Sequence, residues 1–186
     1  MENKTSLYFV AALPGQELQE EVTQIKEYFA NHYQSKHALK SPPHVTVQMP
    51  FYWPDHLLEK LSELLRNFSK HFHSFPLRLK DFGAFPPRVI YVHVEPSKKL
   101  EKLKKALTSF FEHQIMLDPK FLDKRPYTPH MTVAFKDLQK EQFKLAWAEF
   151  KEKSFSYDFK VNALSLLKHD GTHWEVIESF PFGSED

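Results

Sequence analysis

Residues 44–47 read His-Val-Thr-Val and residues 130–133 read His-Met-Thr-Val, each directly after a proline. Alternating apolar positions are strand chemistry, and side chains two apart on a strand share a face. Each tetrad therefore sets an imidazole beside a hydroxyl on one face and turns two apolar side chains to the other. His44 and His130 are 86 positions apart, while Phe51 and Phe135, and Val10 and Val94, are 84 apart. A near-constant offset across several elements predicts an internal duplication. The chain is thereby restricted to folds in which two similar units present the same strand to each other.

The element pattern agrees with a duplication. Leu7 to Leu13 is an apolar run ending at Pro14 and reads as a buried strand, followed by Leu18, Val22, Ile25 and Phe29 at helical spacing. Pro42-Pro43 gives an extended approach to the first motif strand, His44 to Phe51. A wide apolar helix face from Leu57 to Phe68 and a strand from Phe75 to Phe82 complete the first half. The second half repeats the order: a strand at Val89–Val94, a helix through Leu100 to Phe111, the second motif strand, a helix through Phe143 to Phe150, and one long strand from Phe155 to Leu167. Asp170-Gly171 predicts a hairpin turn into a closing strand at His173–Phe182. The expected architecture is α+β: one domain over residues 1–186 made of two pseudo-symmetric lobes, roughly 6–82 and 88–182. Each lobe is an antiparallel sheet with outer helices, and the two motifs face each other across a central cleft.

Composition narrows the function. The 186 residues include 18 Phe and carry a net charge of only +1, which argues for a packed core and against a large non-specific nucleic-acid surface. The absence of cysteine removes disulfide frameworks, thiolate metal sites and Cys nucleophiles. No apolar run approaches the roughly 18 residues of a membrane span, and the N-terminal run lacks a basic leader. A soluble, cytoplasmic, monomeric protein is expected. The 11 histidines raise the question of a metal, but no His-Glu-x-x-His or comparable ligand set is present, so no metal and no cofactor are expected. Four glycines and no Walker or Gly-x-Gly-x-x-Gly pattern exclude nucleotide cradles of those kinds.

Two histidines and two threonines around one centre suit phosphoester chemistry. Near neutral pH one imidazole can accept a proton while its partner donates one. On a 2′,3′-cyclic phosphate, one histidine would take a proton from water and the other would protonate the departing ribose oxygen. The threonine hydroxyls would hold the non-bridging oxygens. In reverse, the same centre would join a hydroxyl to a cyclic phosphate. The residues do not assign base and acid between His44 and His130.

The paired motifs resemble those of the 2H phosphoesterase superfamily, in particular its 2′-5′ RNA ligase-like (LigT-like) branch. The resemblance extends to the Leu7–Leu13 strand, to Phe82-Gly83-Ala84-Phe85, and to Tyr127-Thr128-Pro129 ahead of the second motif. It implies a bilobal duplicated fold and metal-independent 2′,3′-cyclic phosphodiesterase or 2′-5′ ligase chemistry. By motif match the catalytic roles fall on His44, Thr46, His130 and Thr132. The partner would be a nucleotide or RNA end carrying a cyclic phosphate or a 2′-5′ linkage. Gln48-Met49-Pro50-Phe51 replaces the Phe-Leu-Gly that many relatives carry after the first motif, and Lys136 stands near where some carry arginine. A non-catalytic nucleotide or RNA-end binding module on the same fold is the alternative reading.

Outside the tetrads, Tyr127 and Phe135 are the candidate substrate-binding residues. Tyr127 lies three residues before His130, within reach of a base or a phosphate, and Phe135 ends the second motif strand. Phe51 reads as core. Lys98, Lys99, Lys102, Lys104 and Lys105 flank an apolar helix stripe and read as a solvated face.

Overall fold

Tyr8, Val10 and Ala12 alternate with Phe9 and Ala11 along the first strand, and all five are buried. A strand covered on both faces needs no polar alternation, which explains the unbroken apolar run at Leu7–Leu13. The computed structural model describes residues 4–123 and 125–184. In chain order the elements are β1 (Thr5–Ala12), α1 (Gln16–Tyr33), β2 (Val45–Pro54), α2 (Leu58–Ser69), β3 (Phe75–Phe85) and β4 (Val89–Val94). They continue as α3 (Lys98–His113), β5 (His130–Ala134), α4 (Lys140–Phe150), β6 (Ser156–Val161), β7 (Ala163–His169) and β8 (Trp174–Pro181).

The strands form two antiparallel four-stranded sheets, in the orders β2-β1-β7-β8 and β5-β4-β3-β6. The motif strands β2 and β5 are therefore both edge strands, and they lie against each other where the sheets meet. An open strand edge normally invites aberrant pairing; here each motif edge is covered by the other sheet. The helices reinforce the junction crosswise. α1, which follows β1, packs against β5 of the second sheet, and α3, which follows β4, packs against β2 of the first. One continuous hydrophobic core runs through both sheets and the helices, and includes Val45, Val47, Met131 and Val133 from the motif strands.

The sheets do not divide the chain into sequence halves. β3, expected in the first lobe, pairs with β4 and β6 in the second sheet, while β7 and β8 complete the first sheet beside β1. Residues 75–161 build the second sheet as one stretch, and the first sheet is assembled from the two ends of the chain. The strand expected over Phe155–Leu167 is likewise broken at Asn162. β6 ends at Val161 in the second sheet and β7 begins at Ala163 in the first. Neither glycine nor proline marks this crossing, so apolar alternation on both sides of Asn162 reads as one strand. The hairpin turn forms as its residues require: Gly171 sits at φ 110°, and the Asp170 carboxylate accepts from the Thr172 and His173 backbone N–H groups, each at 2.6 Å.

Candidate active site

His44 precedes β2 and His130 opens β5, and each is held in the same way by its own chain. The His44 Nδ1–H donates to the Pro42 carbonyl at 2.7 Å, and the His130 Nδ1–H donates to the Thr128 carbonyl at 2.7 Å. A carbonyl oxygen only accepts, so Nδ1 carries the proton in both neutral rings and Nε2 is left as the free nitrogen. The preceding prolines favour the extended backbone that lets each carbonyl turn back onto the ring two residues later.

Each imidazole is also backed by an aromatic pair. Phe9 lies 4.8 Å from His44 and 4.6 Å from Trp174, centroid to centroid. On the other side Tyr91 lies 5.0 Å and Phe85 5.1 Å from His130. Tyr91 keeps its position because β3 offers Gly83 opposite it in register. A Cβ on Gly83 would fall 2.3 Å from the Tyr91 ring, so no side chain fits there without moving it. Burial pushes the His44 pKa down to about 4, with the Lys26 and His130 charges acting in the same direction. Burial lowers His130 as well.

Thr46 and Thr132 stand where two cavities meet. One, of about 200 Å³, is lined by Phe9, His44, Pro50 and Trp174; the other, of about 590 Å³, by Phe85, Tyr127 and His130; Thr46, Thr132 and Phe135 line both. The two histidines and two threonines of the repeated motif therefore surround one cleft. Phe135 is a shared wall between the halves and packs edge-on against His37 at 4.9 Å. Tyr127 lines the larger cavity, but its hydroxyl donates to the Thr46 carbonyl at 2.8 Å. That bond braces the first motif with a residue from the second and commits the hydroxyl proton. Phe51 is fully buried, edge-on to Phe111.

A family model described as the 2′-5′ RNA ligase superfamily matches residues 14–173. The chain belongs to this superfamily. Among its relatives is a protein of Geobacillus sp. (strain WCH70), named as a candidate phosphoesterase, 27% identical over 184 residues covering 96% of this chain and 98% of the relative. A similarly named protein of Bacillus pumilus (strain SAFR-032) is 28% identical over 181 residues, covering 96% and 98%. The fold is that of Escherichia coli LigT in complex with 3′-AMP, with a TM-score of 0.68 at 18% identity, covering 97% of this chain and 100% of that one. A protein of Thermus thermophilus superposes with a TM-score of 0.69 at 19% identity, covering 97% and 100%. LigT structures also exist with ATP and with NADP+.

Within this superfamily member, several lining residues lie outside the repeated motif. Phe9 and Trp174, which line the smaller cavity, and Tyr91, which packs on His130 without lining either cavity, become recognisable only from strand register, since each is an ordinary strand aromatic in sequence. Lys98, Lys99, Lys102 and Lys105 are exposed as expected, but Lys104 departs from the solvated face of α3: it is half-buried and lines the larger cavity together with Asp123 and Arg125. Helical periodicity identifies a polar face but not what that face looks onto. The Gln48 departure also finds a local role: its side-chain amide is buried and donates to the Phe121 carbonyl at 2.7 Å, anchoring a loop beside the large cavity. Among the described residues no three His, Asp or Glu side chains converge as a metal-binding group, and no helix is long and apolar enough to cross a membrane.

Lys26 of α1 is 2% exposed and donates from Nζ to the Ser41 carbonyl at 2.9 Å, just ahead of the Pro42 carbonyl that orients His44. Burial lowers its pKa from 10.5 to about 7. The unfolded chain keeps the proton to about 10.5, so it binds more protons than the folded chain between those values, and stability rises with pH there. The stability of wild type relative to Lys26→Met is therefore expected to rise by up to about 1.4 kcal/mol per pH unit between about pH 7.5 and 9.5. Urea denaturation of both proteins at the two pH values checks this, and a constant difference would refute it.

Proposed function

We propose that this protein hydrolyses 2′,3′-cyclic phosphates on nucleotides or RNA ends without a metal, and that 2′-5′ phosphodiester hydrolysis or ligation is a second use of the same centre. The observation that carries this reading is the matched fixing of both imidazoles. Two backbone carbonyls take up the two Nδ1 protons, so both Nε2 atoms are left for the substrate in a cleft that also holds two hydroxyls. That pairing serves concerted general base and general acid catalysis, for which preset tautomers and orientation supply much of the rate.

In the proposed reaction His44 Nε2 takes a proton from water as the water oxygen attacks phosphorus. The bond from phosphorus to one ribose oxygen breaks, and that oxygen takes the proton from His130 Nε2. The product is a ribose phosphate monoester. Thr46 and Thr132 donate to the non-bridging oxygens, whose charge grows in the transition state. Two features support His44 as the base: its low pKa keeps the ring neutral, and its cavity, about 200 Å³ against about 590 Å³ on the His130 side, leaves the nucleoside to the other side. The larger cavity, on the His130 side, has room for the ribose, which supports His130 as the acid. The nucleotides held by LigT are consistent with a nucleotide-sized cleft in this fold.

The test is hydrolysis of the four nucleoside 2′,3′-cyclic monophosphates and of a short RNA ending in 2′,3′-cyclic phosphate, with EDTA present. The His44→Ala/His130→Ala double variant is the control. Turnover that persists in EDTA and vanishes in the variant is the expected result, and the product isomer identifies the bond broken. A folded wild-type protein that turns over none of these, but binds the products, would replace the enzyme reading with the binding module.

A further inference from the structure

The cleft is lopsided, and the imbalance carries charge. The larger cavity runs from the Thr46–Thr132 pair past Tyr127 to a wall carrying Lys104, Asp123 and Arg125. Two of those charges answer each other. Arg125 donates from Nε and Nη2 to the two Asp123 carboxylate oxygens at 2.9 and 2.8 Å, and this holds the Asp123 carboxyl down to about 2. Lys104 is the charge left over. It is half-buried on α3, and among the described residues its ammonium has no hydrogen bond and no ion pair within 4 Å. The ammonium stands over the Tyr127 ring, with Nζ 5.7 Å from the centroid. Burial lowers its pKa, with Asp123 acting in the opposite direction. A half-desolvated cation whose neighbouring carboxylate, Asp123, is already taken by Arg125 is costly unless a further anion completes it.

Tyr127 gives the scale. Its hydroxyl reaches the Thr46 backbone while Lys104 stands over its ring, so the ammonium is one aromatic side chain away from the threonine pair. The Tyr127 ring separates the ammonium from a phosphate held by Thr46 and Thr132, much as a nucleoside separates one backbone phosphate from the next. Ribose and base would fill the space between, against Tyr127 and Phe85.

We propose that Lys104 binds the backbone phosphate of the nucleotide next to the reacting one, so that the preferred substrate is an oligoribonucleotide end and not a free mononucleotide. The inference rests on the cyclic-phosphate reading for the orientation of the chain. A phosphate contact of this kind adds affinity that scales with salt and carries no base preference.

The experiment compares the affinity of adenosine 3′-monophosphate with that of the dinucleotide ApAp, for wild type, Lys104→Met and Lys104→Arg. Methionine keeps the packed stem and removes the charge. Wild type is expected to prefer the dinucleotide by about tenfold, as one charge-assisted contact provides. Lys104→Met should bring the ratio close to one, and Lys104→Arg should restore most of it. The slope of log affinity against log salt for ApAp should shrink by about 0.7 in Lys104→Met. An equal affinity for the two ligands in wild type, or an unchanged ratio in Lys104→Met, would overturn the proposal. Turnover of the matching cyclic phosphates separates the two readings. A Lys104-dependent ratio without turnover sinks only catalysis, and turnover without that ratio sinks only this subsite.

Discussion

Replacing either His44 or His130 by alanine is expected to lower kcat on nucleoside 2′,3′-cyclic phosphates by about 10²–10⁴-fold, the usual contribution of one general base or acid. The losses should not add in the double variant, because each group is useful only while the other completes the proton exchange. The pH profile makes the assignment sharper. In the free protein His44 is neutral above about pH 4, and burial lowers His130 below its ordinary 6.5. With His44 as base and His130 as acid, kcat/KM should fall on the acid side near pH 4 and on the alkaline side below pH 6.5. The profile is then a bell displaced toward acid. Bound phosphate favours the charged ring, so the alkaline limb of kcat should lie at higher pH than that of kcat/KM. His130→Gln should erase the alkaline limb of its residual activity, and His44→Gln the acid limb. The opposite pattern would exchange the two roles, and near-normal turnover in either alanine variant would remove the mechanism.

Asp137→Ala is expected to destabilise the fold by about 2–4 kcal/mol, because three donors lose a charged acceptor together. One Asp137 oxygen accepts from the Lys36 and His37 backbone N–H groups, both at 2.8 Å, and the other accepts from the fully buried Ser35 hydroxyl at 2.9 Å. The carboxylate thereby ties the segment leaving β5 to the segment approaching β2, the two stretches that present Phe135 and His44. In a chain of this size the loss corresponds to about 5–15 °C in Tm. Asp137→Asn should be milder, since an amide oxygen can take both backbone protons while its NH₂ donates to the Ser35 hydroxyl. Thermal unfolding of the two variants distinguishes these outcomes. A Tm for Asp137→Ala within about 1 °C of wild type would show the clamp to be worth little.

The motif tetrads were legible in the sequence because they are local. A proline, an alternating strand and a two-residue spacing set His44 beside Thr46 and His130 beside Thr132 without help from distant residues. The antiparallel sheets and the helices were legible for the same reason. What the sequence hid was the pairing of whole strands. Phe75–Phe85 has the same alternation whichever sheet it joins, and only packing puts β3 beside β4. Asn162 carries no turn signal, yet the chain changes sheets there. Phe9 meets His44, and Trp174 meets Phe9, only through the pairing of β1 with β2 and of β7 with β1 and β8. Lys104 reads as solvated because periodicity records polarity, whereas its proximity to Tyr127 depends on how α3 crosses β2.

The interleaving of the strands also sets an order of assembly on the ribosome. Residues 75–161 contain every strand of the sheet that carries His130, so a nascent chain can close that sheet while β7 and β8 are still to be made. β1 and β2 are made first and pair with each other, but the second partner of β1, β7, and the strand beyond it, β8, come only from residues 163–181. Trp174, which packs on the Phe9 ring behind His44, therefore reaches the site only with the final strand. A product that stops short of β8 would keep both histidines but lack the outer strand of the first sheet and the wall that Trp174 gives the smaller cavity.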